Sequence, residues 1–254
     1  MTVSIQGVGV VGGFGYGLAD LEAALCQKAP IPKVVTLETS NGSIEVPALL
    51  AKTDHLEDFV PKRELRRTGH YIRMALLAAH AALEDAGLQN RDSGRTGIIV
   101  ATGYGATCNT FDFQHSVINV SDPCGSPTVF ANSVHNAAAS HLSISLKKMG
   151  PNLSLSHYDM SVPSAFATAM GWLNDDLVDT VLVGGVDEYC KVLGYYWHCR
   201  QQEEEQKAAW ETDVIGEGAC FFVLRRQATP VNSYGVLETV HLGHGMISET
   251  ATPK

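Results

Sequence analysis

Residues 150–188 constrain the fold more than any other stretch, because their pattern predicts a strand, an abrupt turn and then a helix. Leu153 and Leu155 alternate with polar residues, which is typical of a β-strand. Pro163 suits the first turn of a helix, where its missing N–H has no intrahelical partner. A helix rich in small residues follows over 164–173. The turn therefore lies directly at the N-terminus of this helix.

The end of the same stretch predicts a second strand. Residues 180–183 are apolar and the run stops at Gly184 and Gly185, as expected of a short strand buried on both faces. In the turn before the helix, free N–H groups and the helix dipole favour negative charge. We therefore expect a nucleophile, where such a chain has one, in this turn.

The rest of the chain alternates predicted strands with predicted helices, which indicates stacked α/β layers. Strands are expected at residues 3–11, 96–102, 220–225 and 236–240, and helices at 18–26, 68–86, 109–120 and 132–148. Residues 29–61 carry prolines between polar stretches and are predicted to form a long irregular excursion. We expect a single domain over residues 1–247 and a flexible tail over residues 248–254.

The first predicted strand carries a glycine motif. Gly7, Gly9 and Gly12 formally satisfy the dinucleotide-binding pattern Gly-x-Gly-x-x-Gly. In that motif the glycines open a helix whose N-terminus holds a pyrophosphate. Here more glycines follow, and the next predicted helix begins only at Leu18. A strand that enters a tight loop is the favoured interpretation, and nucleotide binding is the alternative.

The charge of the chain excludes several classes of function. A net charge of −9 without a long run of Lys and Arg argues against nucleic-acid binding. The basic group at residues 62–67 is interpreted as the solvated start of a helix, with docking of an acidic carrier protein as the alternative. No apolar run approaches the roughly 20 residues of a membrane helix. We therefore predict no membrane span.

The cysteines do not form a recognisable framework. All six are scattered, with no Cys-x-x-Cys pair and no signal peptide ahead of them. This pattern predicts reduced thiols in a cytoplasmic protein. Cys108 and Cys124 lie near predicted turns, but no base stands beside either in the sequence, so ordinary buried thiols are the favoured interpretation.

Several blocks, in order along the chain, resemble the β-ketoacyl synthases of the thiolase-like superfamily. In that family Gly-Pro opens the strand before the nucleophile and Gly-Gly closes the next strand, as Gly150-Pro151 and Gly184-Gly185 do here. The other similar blocks are 4–12, 96–105, the dimer-interface segment 126–142, and Gly216-Glu217-Gly218-Ala219 before a late strand. The resemblance implies a thiolase-like layered α/β fold, mainly the first half-repeat, with the C-terminal half missing.

The same register places Asp159 where the family has its cysteine nucleophile. The two catalytic histidines of the family belong to the second half-repeat, and His241 and His244 do not match them. The resemblance therefore implies that no residue of this chain catalyses Claisen condensation by itself.

Asp159 has two candidate roles, and the absence of any role is the third interpretation. A carboxylate beside a helix N-terminus accepts backbone hydrogen bonds and contributes ~1 kcal/mol as a cap. Alternatively, its charge replaces the family's thiolate and keeps a vestigial pocket polar. The bulky neighbours His157, Tyr158 and Met160 are predicted to fill the space of an acyl chain. His157 and Asp159 share one side of an extended backbone, but two ligands make a poor metal site, so we predict no metal and no cofactor.

The interface segment also provides candidate residues. In the ketosynthase family its side chains reach the bottom of the partner's acyl tunnel. The resemblance therefore implies a gate that limits chain length, formed by Thr128, Val129, Phe130, Ser133 and Val134. Plain interface or core packing is the alternative for these five residues.

A ketosynthase-like chain without its nucleophile resembles the chain length factors of type II polyketide-style ketosynthases, and among these the shortened type of aryl polyene pathways. This implies a heterodimer with an active ketosynthase subunit, which acts on acyl carrier protein while this chain shapes its tunnel. A rival hypothesis is a free-standing homodimeric decarboxylase or acyl-thioester hydrolase that uses Asp159 or His157. A binding module that stores acyl carrier protein is a third.

Overall fold

The computed structural model describes residues 2–26, 29–40, 42–89, 95–119, 126–203, 214–227 and 233–242. The strands are β1 (Thr2–Gly12), β2 (Gly15–Tyr16), β3 (Lys33–Thr39), β4 (Gly42–Leu49), β5 (Thr96–Thr102), β6 (Asn152–Ser156), β7 (Thr180–Asp187), β8 (Ile215–Gly216), β9 (Gly218–Gln227) and β10 (Gly235–Leu237). The α-helices are α1 (Gly17–Cys26), α2 (His70–Asp85), α3 (Thr107–Asn119), α4 (Pro127–Ser133), α5 (Ala137–Leu146), α6 (Ser161–Asn174) and α7 (Lys191–Glu203). The predicted tail, together with His244 and Cys124, lies outside the described residues.

The main sheet contains seven strands in the order β10-β1-β9-β7-β5-β6, with β2 paired to the end of β1. β5 is parallel to β6 and β7, whereas β9 is antiparallel to both β7 and β1. Among the described strands β6 lies at the edge of the sheet. A smaller sheet has the order β3-β4-β8. The predicted α/β class is confirmed.

Helices cover both faces of the main sheet. On one face α2 and α5 pack on alternate strand residues such as Ile98 and Leu182. On the other face α6 packs on their neighbours Ile99 and Val183. Because successive residues of a strand point to opposite faces, the apolar run of β7 supplies both cores. In the part of the chain that the structure describes, no helix is long and apolar enough to cross a membrane.

The glycines of β1 allow a close approach of helix and sheet. A Cβ at Gly7 would meet the backbone oxygen of Ala82, and a Cβ at Gly9 would meet that of Ala78, both in α2. The strand continues through Gly12, which pairs with β9 and opens no helix. These glycines therefore allow α2 to pack closely on β1. This agrees with the favoured interpretation of a strand that enters a tight loop rather than with nucleotide binding.

The prediction of an irregular excursion over residues 29–61 is wrong. β3 and β4 pair as an antiparallel hairpin, and Leu37, Val46 and Ala48 are buried in it. Pro47 is tolerated inside β4 because the ladder between β4 and β8 begins only at Ala48. The prolines obscured an alternation of apolar and polar residues.

Three predicted boundaries also differ. The helix expected over 132–148 is two helices, because Val134 has an extended backbone with ψ 148° and separates α4 from α5. The strand expected to stop at Gly184 continues to Asp187, since Gly184 leaves room for the Phe221 ring of β9. The last strand ends at Leu237 rather than at residue 240.

Candidate functional site

Three chain segments meet where the parallel strands end. The loop after β5, the turn after β6 and the last residue of β7 lie at one edge of the sheet, because parallel strands direct their carboxyl ends the same way. They enclose a small cavity of about 160 Å³. Its lining consists of Thr102, Gly103, Tyr104, Tyr158, Asp159, Ser161, Val162 and Asp187. This edge holds the position that the sequence marks for a nucleophile.

The hydroxyl of Ser161 holds the turn between β6 and α6. It is buried, accepts a hydrogen bond from the His157 N–H at 2.7 Å, and lies within 2.9 Å of the Thr102 carbonyl and 2.7 Å of the Tyr158 carbonyl. Tyr158 adopts a left-handed backbone with φ 45°, which is strained for a residue other than glycine. The sequence analysis did not identify Ser161, although a serine at the first helical position is a usable signal.

Asp159 faces solvent in this turn. Its carboxylate makes no hydrogen bond to any described residue, and Met160, the residue at the N-cap of α6, provides no side-chain cap. The capping interpretation of Asp159 is therefore wrong in this structure. The prediction that His157 and Asp159 share one side of an extended backbone is also wrong, because residues 158–160 form a 3₁₀ turn.

The bulky neighbours of Asp159 do not fill the interior either. His157 is exposed, Met160 is half-buried, and the Tyr158 side chain is 73 % exposed, with its ring edge-on to Tyr104 at a centroid distance of 6.3 Å. Their predicted role as a plug of an acyl pocket in this chain is not supported. The role of these residues in function remains a prediction.

Asp187 occupies the hydrogen-bond donors of the neighbouring loop. Its carboxylate accepts from the Thr102 hydroxyl at 2.7 Å, the Gly103 N–H at 2.8 Å and the Tyr104 N–H at 2.9 Å. The desolvation of Tyr104 and the Asp187 charge raise the pKa of the Tyr104 phenol. The N–H groups of Gly103 and Tyr104 therefore donate to Asp187 and are not free to stabilise an oxyanion.

An acidic cluster, consisting of the buried Glu188 and Glu217 side chains and the partly exposed His70, lies next to this edge. Glu188 accepts the N–H groups of Tyr71 and Cys108, each at 3.2 Å, and so joins the first turns of α2 and α3. Burial raises the pKa of Glu188 to about 7. Glu188 is therefore a desolvated carboxylate that links two helices.

Glu217 forms the other half of the acidic cluster. It accepts the Ala51 N–H at 2.9 Å, the Tyr189 N–H at 3.0 Å and a hydrogen bond from His70 Nε2 at 2.8 Å. The hydrogen bond to Glu217 raises the pKa of His70, and burial opposes this shift. The motif that contained Glu217 was identified from sequence, but its partners are distant in the chain.

A larger apolar groove of about 600 Å³ lies between α6 and the strands β1 and β9. Glycines form much of its floor, and Phe14, Phe166 and Phe222 line its walls. Asp187 and Glu217 line it as well. The groove could accept apolar groups, and its polar side adjoins the acidic cluster.

The five predicted gate residues lie together on α4 and just after it. Phe130 is 55 % exposed and packs on Phe113 of α3 at a centroid distance of 5.3 Å. The Thr110 hydroxyl of α3 donates to the Ser133 carbonyl at 2.9 Å. None of the five lines the cavity beside Asp159. The gate and the turn are therefore separate features of this chain.

The family model described as "Beta-ketoacyl synthase, N-terminal domain" matches residues 27–229, which is most of the chain. The chain belongs to the β-ketoacyl synthase family. The family resemblance and the thiolase-like fold expected from sequence are thereby confirmed. The sequence resemblance implies that the family has a cysteine in the turn where this chain has Asp159.

Curated relatives are named as 3-oxoacyl-[acyl-carrier-protein] synthases. The chain is 24 % identical to 3-oxoacyl-[acyl-carrier-protein] synthase 2 of Vibrio cholerae, over 87 % of this chain and 57 % of that synthase. It is 23 % identical to the synthase of the same name from Coxiella burnetii, over 96 % of this chain and 62 % of that protein. The chain thus spans about three-fifths of the length of these two relatives.

Solved structures with the same fold include ketosynthase and chain length factor assemblies. "The ishigamide ketosynthase/chain length factor" aligns with a TM-score of 0.70 and 21 % identity, over 92 % of this chain and 64 % of that chain. A second structure is the ketosynthase ApeO in complex with its chain length factor ApeC, from Xenorhabdus doucetiae. One of its chains aligns with a TM-score of 0.61 and 16 % identity, over 90 % of this chain and 80 % of that chain. These similarities establish the fold.

Proposed function

We propose that this chain is a non-catalytic chain length factor that pairs with an active ketosynthase elongating acyl chains on acyl carrier protein. The observation that carries the proposal is the solvent-facing Asp159 in the turn where the sequence resemblance implies the family's cysteine nucleophile. A condensing enzyme needs a thiolate there to take up the acyl chain, and a hydrated carboxylate is a much weaker nucleophile toward a thioester. No described cysteine lines the cavity beside Asp159.

An exposed edge of the chain supports a protein partner. β6 offers unpaired backbone groups at the edge of the main sheet, and exposed apolar side chains lie near it in the chain, with Ile144 75 % and Met149 94 % exposed. An open strand edge next to apolar side chains is suited to the addition of a partner's strand.

The gate residues support a role in chain length. Phe130 and Val134 are exposed apolar residues on the same side of the fold as α3 and α5, where a partner could cover them. The structures titled as ketosynthase with chain length factor provide the precedent for such pairs. In this proposal the partner's cysteine performs the chemistry, and α4 limits how far the growing chain, a polyene or fatty-acid-like acyl group, extends.

Co-expression with the ketosynthase encoded beside this gene, followed by size-exclusion chromatography with mass determination, tests the pairing. We expect a one-to-one heterodimer. Ile144→Glu should weaken it, because a charge would be buried in the interface, whereas the equally exposed Leu25→Glu on α1 should not. A stable homodimer that ignores the ketosynthase would contradict the proposal.

Product analysis tests the gate. Phe130→Ala in the purified pair should shift acyl products to longer chains, and Phe111→Ala on α3, also exposed, should leave them unchanged. Mass spectrometry of the carrier-bound products measures both. Identical products from the ketosynthase alone, at the same rate, would overturn the role in chain length.

The rival hypothesis has a separate test. If the isolated chain decarboxylates or hydrolyses a malonyl or acyl thioester, and Asp159→Asn or His157→Ala abolishes that activity, the chain is an enzyme in its own right. The accessory role predicts no such activity above background in either the native chain or the variants.

A further inference from the structure

The small cavity at the turn after β6 contains two tyrosine rings and two carboxylates. Tyr104 and Tyr158 line it with ring centroids 6.3 Å apart and an interplanar angle of 78°, so that the two rings form a corner. Asp159 and Asp187 line the same cavity. Aromatic rings attract cations through their quadrupole, and pairs of such rings recognise ammonium groups. The cavity therefore combines two features that each favour a cation.

The two carboxylates lack a cationic partner in the part of the chain that the structure describes. Asp187 accepts three hydrogen bonds, and their donors are neutral: the Thr102 hydroxyl and the N–H groups of Gly103 and Tyr104. Asp159 is exposed and has no hydrogen bond or ion pair with a described residue. The net charge of −9 adds to the negative potential of the chain. The cavity therefore repels anions and attracts cations.

The small cavity adjoins the apolar groove between α6 and the strands β1 and β9. Val162 in the first turn of α6 and Asp187 at the end of β7 line both. The groove has a volume of about 600 Å³ and aromatic walls, whereas the small cavity has a volume of about 160 Å³ and carries the carboxylates. None of the described residues that line either of them is Lys, Arg or His. A ligand that spans both needs a small cationic head and an apolar tail.

We propose that the small cavity and the apolar groove together bind an amphiphile with an ammonium head and a hydrocarbon tail. The head lies between the two tyrosine rings and the two carboxylates, and the tail lies in the groove against Phe166 and Phe222. A fatty acid is disfavoured, because its carboxylate would lie beside Asp159 and Asp187. The site is independent of the proposed pairing with a ketosynthase, since all of its residues belong to this chain.

Isothermal titration calorimetry of the purified full chain tests the site with decyltrimethylammonium, below the concentration at which this compound forms micelles. Uncharged decanol and anionic decanoate carry a similar tail, and tetramethylammonium carries the head alone. We expect decyltrimethylammonium to have a dissociation constant about tenfold lower than that of any of the three, because only it fills both cavities with the favoured charge. Equal constants for decyltrimethylammonium and decanol would overturn the proposal, and so would the absence of binding.

Substitutions at the small cavity test the position of the head. Tyr158→Leu should raise the dissociation constant of decyltrimethylammonium about fivefold, whereas Tyr158→Phe keeps the ring and should change it by less than about twofold. Asp159→Asn should raise this constant about threefold and leave that of decanol unchanged. Both side chains are exposed, so the variants are expected to fold. If neither Tyr158→Leu nor Asp159→Asn weakens binding, the head does not lie in this cavity and the proposal is wrong.

The thiol of Cys220 reports on the position of the tail in the native chain. Cys220 lines the groove and is half-buried, whereas Cys26 is exposed at the end of α1 and is not among the described residues that line the groove. Iodoacetamide is used at about pH 9, because burial raises the pKa of Cys220 to about 11. We expect saturating decyltrimethylammonium to slow the alkylation of Cys220 several-fold and to leave that of Cys26 unchanged, as measured by peptide mass spectrometry. Unchanged alkylation of Cys220 would overturn the proposal.

Discussion

The turn after β6 and the acidic cluster lie at the same edge of the sheet, but they differ in burial and in bonding. In the turn, Asp159 faces water without a hydrogen-bond partner among the described residues. In the cluster, Glu188 and Glu217 are buried and accept backbone N–H groups from four separate segments. The Asp159 side chain is thus the less constrained of the carboxylates in these two regions.

This difference bears on whether the buried carboxylates have a catalytic or a structural role. Perturbed titratable groups cluster at functional sites in many enzymes, but ion-pair networks of purely structural role perturb pKa values as well. In the acidic cluster, the groups with raised pKa values are Glu188, which accepts N–H groups from the first turns of α2 and α3, and His70, which donates to Glu217. The buried carboxylates bond to the surrounding backbone, whereas the turn carries an exposed carboxylate at Asp159.

Loss of Glu217 should have the largest effect. Glu217→Ala leaves the His70 ring and the N–H groups of Ala51 and Tyr189 without their acceptor in a buried site. We expect the free energy of unfolding to fall by about 3 kcal/mol, measured by urea denaturation with tryptophan fluorescence. Glu45→Ala, on the exposed side of β4, should change it by less than about 0.5 kcal/mol. An equal change in the free energy of unfolding for both variants would show that the acidic cluster does not stabilise the fold.

The pH dependence of stability tests the burial of Glu188. The carboxyl keeps its proton in the folded protein up to about pH 7, whereas its ordinary pKa is 4.5. The folded state therefore binds more protons between these values, and stability falls as the pH rises through this window. His70 has the same sign, because its raised pKa provides stability that is present below pH 6.5 and lost above its folded-state value.

Other histidines act in the opposite direction, so a difference measurement is needed. Burial lowers the pKa of His80 to about 4. The folded protein therefore binds fewer protons than the unfolded chain between pH 4 and 6.5, and the free energy of unfolding falls as the pH falls through this range. We expect the stability of the native chain relative to Glu188→Gln to fall by up to about 1.4 kcal/mol per pH unit between pH 4.5 and 7. A difference that is flat with pH would mean that Glu188 ionises normally in the folded chain.

Removal of the Ser161 hydroxyl should have a smaller effect. Ser161→Ala deprives the His157 N–H of its acceptor and releases the strained Tyr158 backbone. We expect a loss of about 1.5 kcal/mol in the free energy of unfolding. Ser164→Ala, one turn further along α6, removes a hydroxyl without a described hydrogen bond and serves as control. If Ser161→Ala and Ser164→Ala lower the free energy of unfolding equally, contacts other than the Ser161 hydroxyl hold the turn.

Most of the fold could be predicted from the sequence, because apolar periodicity and glycine positions report on local structure. β5 was predicted to the residue, and α2 and α6 were located correctly. The hairpin β3–β4 was missed, since prolines at its ends and inside β4 outweighed an alternating pattern with only three buried positions. The break at Val134 was missed because apolar spacing continues across it.

The candidate site was less predictable, because its contacts join residues that are distant in sequence. Glu217 and His70 are 147 positions apart, and Thr102 and Asp187 are 85 apart. A motif can mark Glu217, but no local pattern shows which donors it accepts. The register of the turn was readable from Gly150-Pro151 to Gly184-Gly185, whereas the left-handed backbone of Tyr158 and the outward direction of Asp159 depend on the packing of Ser161.

Asp159→Asn should have the smallest effect of all. The carboxylate has no hydrogen-bond partner among the described residues and no cap to lose, so its replacement by an amide of the same shape should change the free energy of unfolding by less than about 0.5 kcal/mol. The product lengths of a pair with an active ketosynthase should stay the same. A large change in products with unchanged stability would mean that the Asp159 charge acts on the partner or its acyl group. The turn would then be functional through its surface, while the Ser161 hydroxyl still holds its backbone.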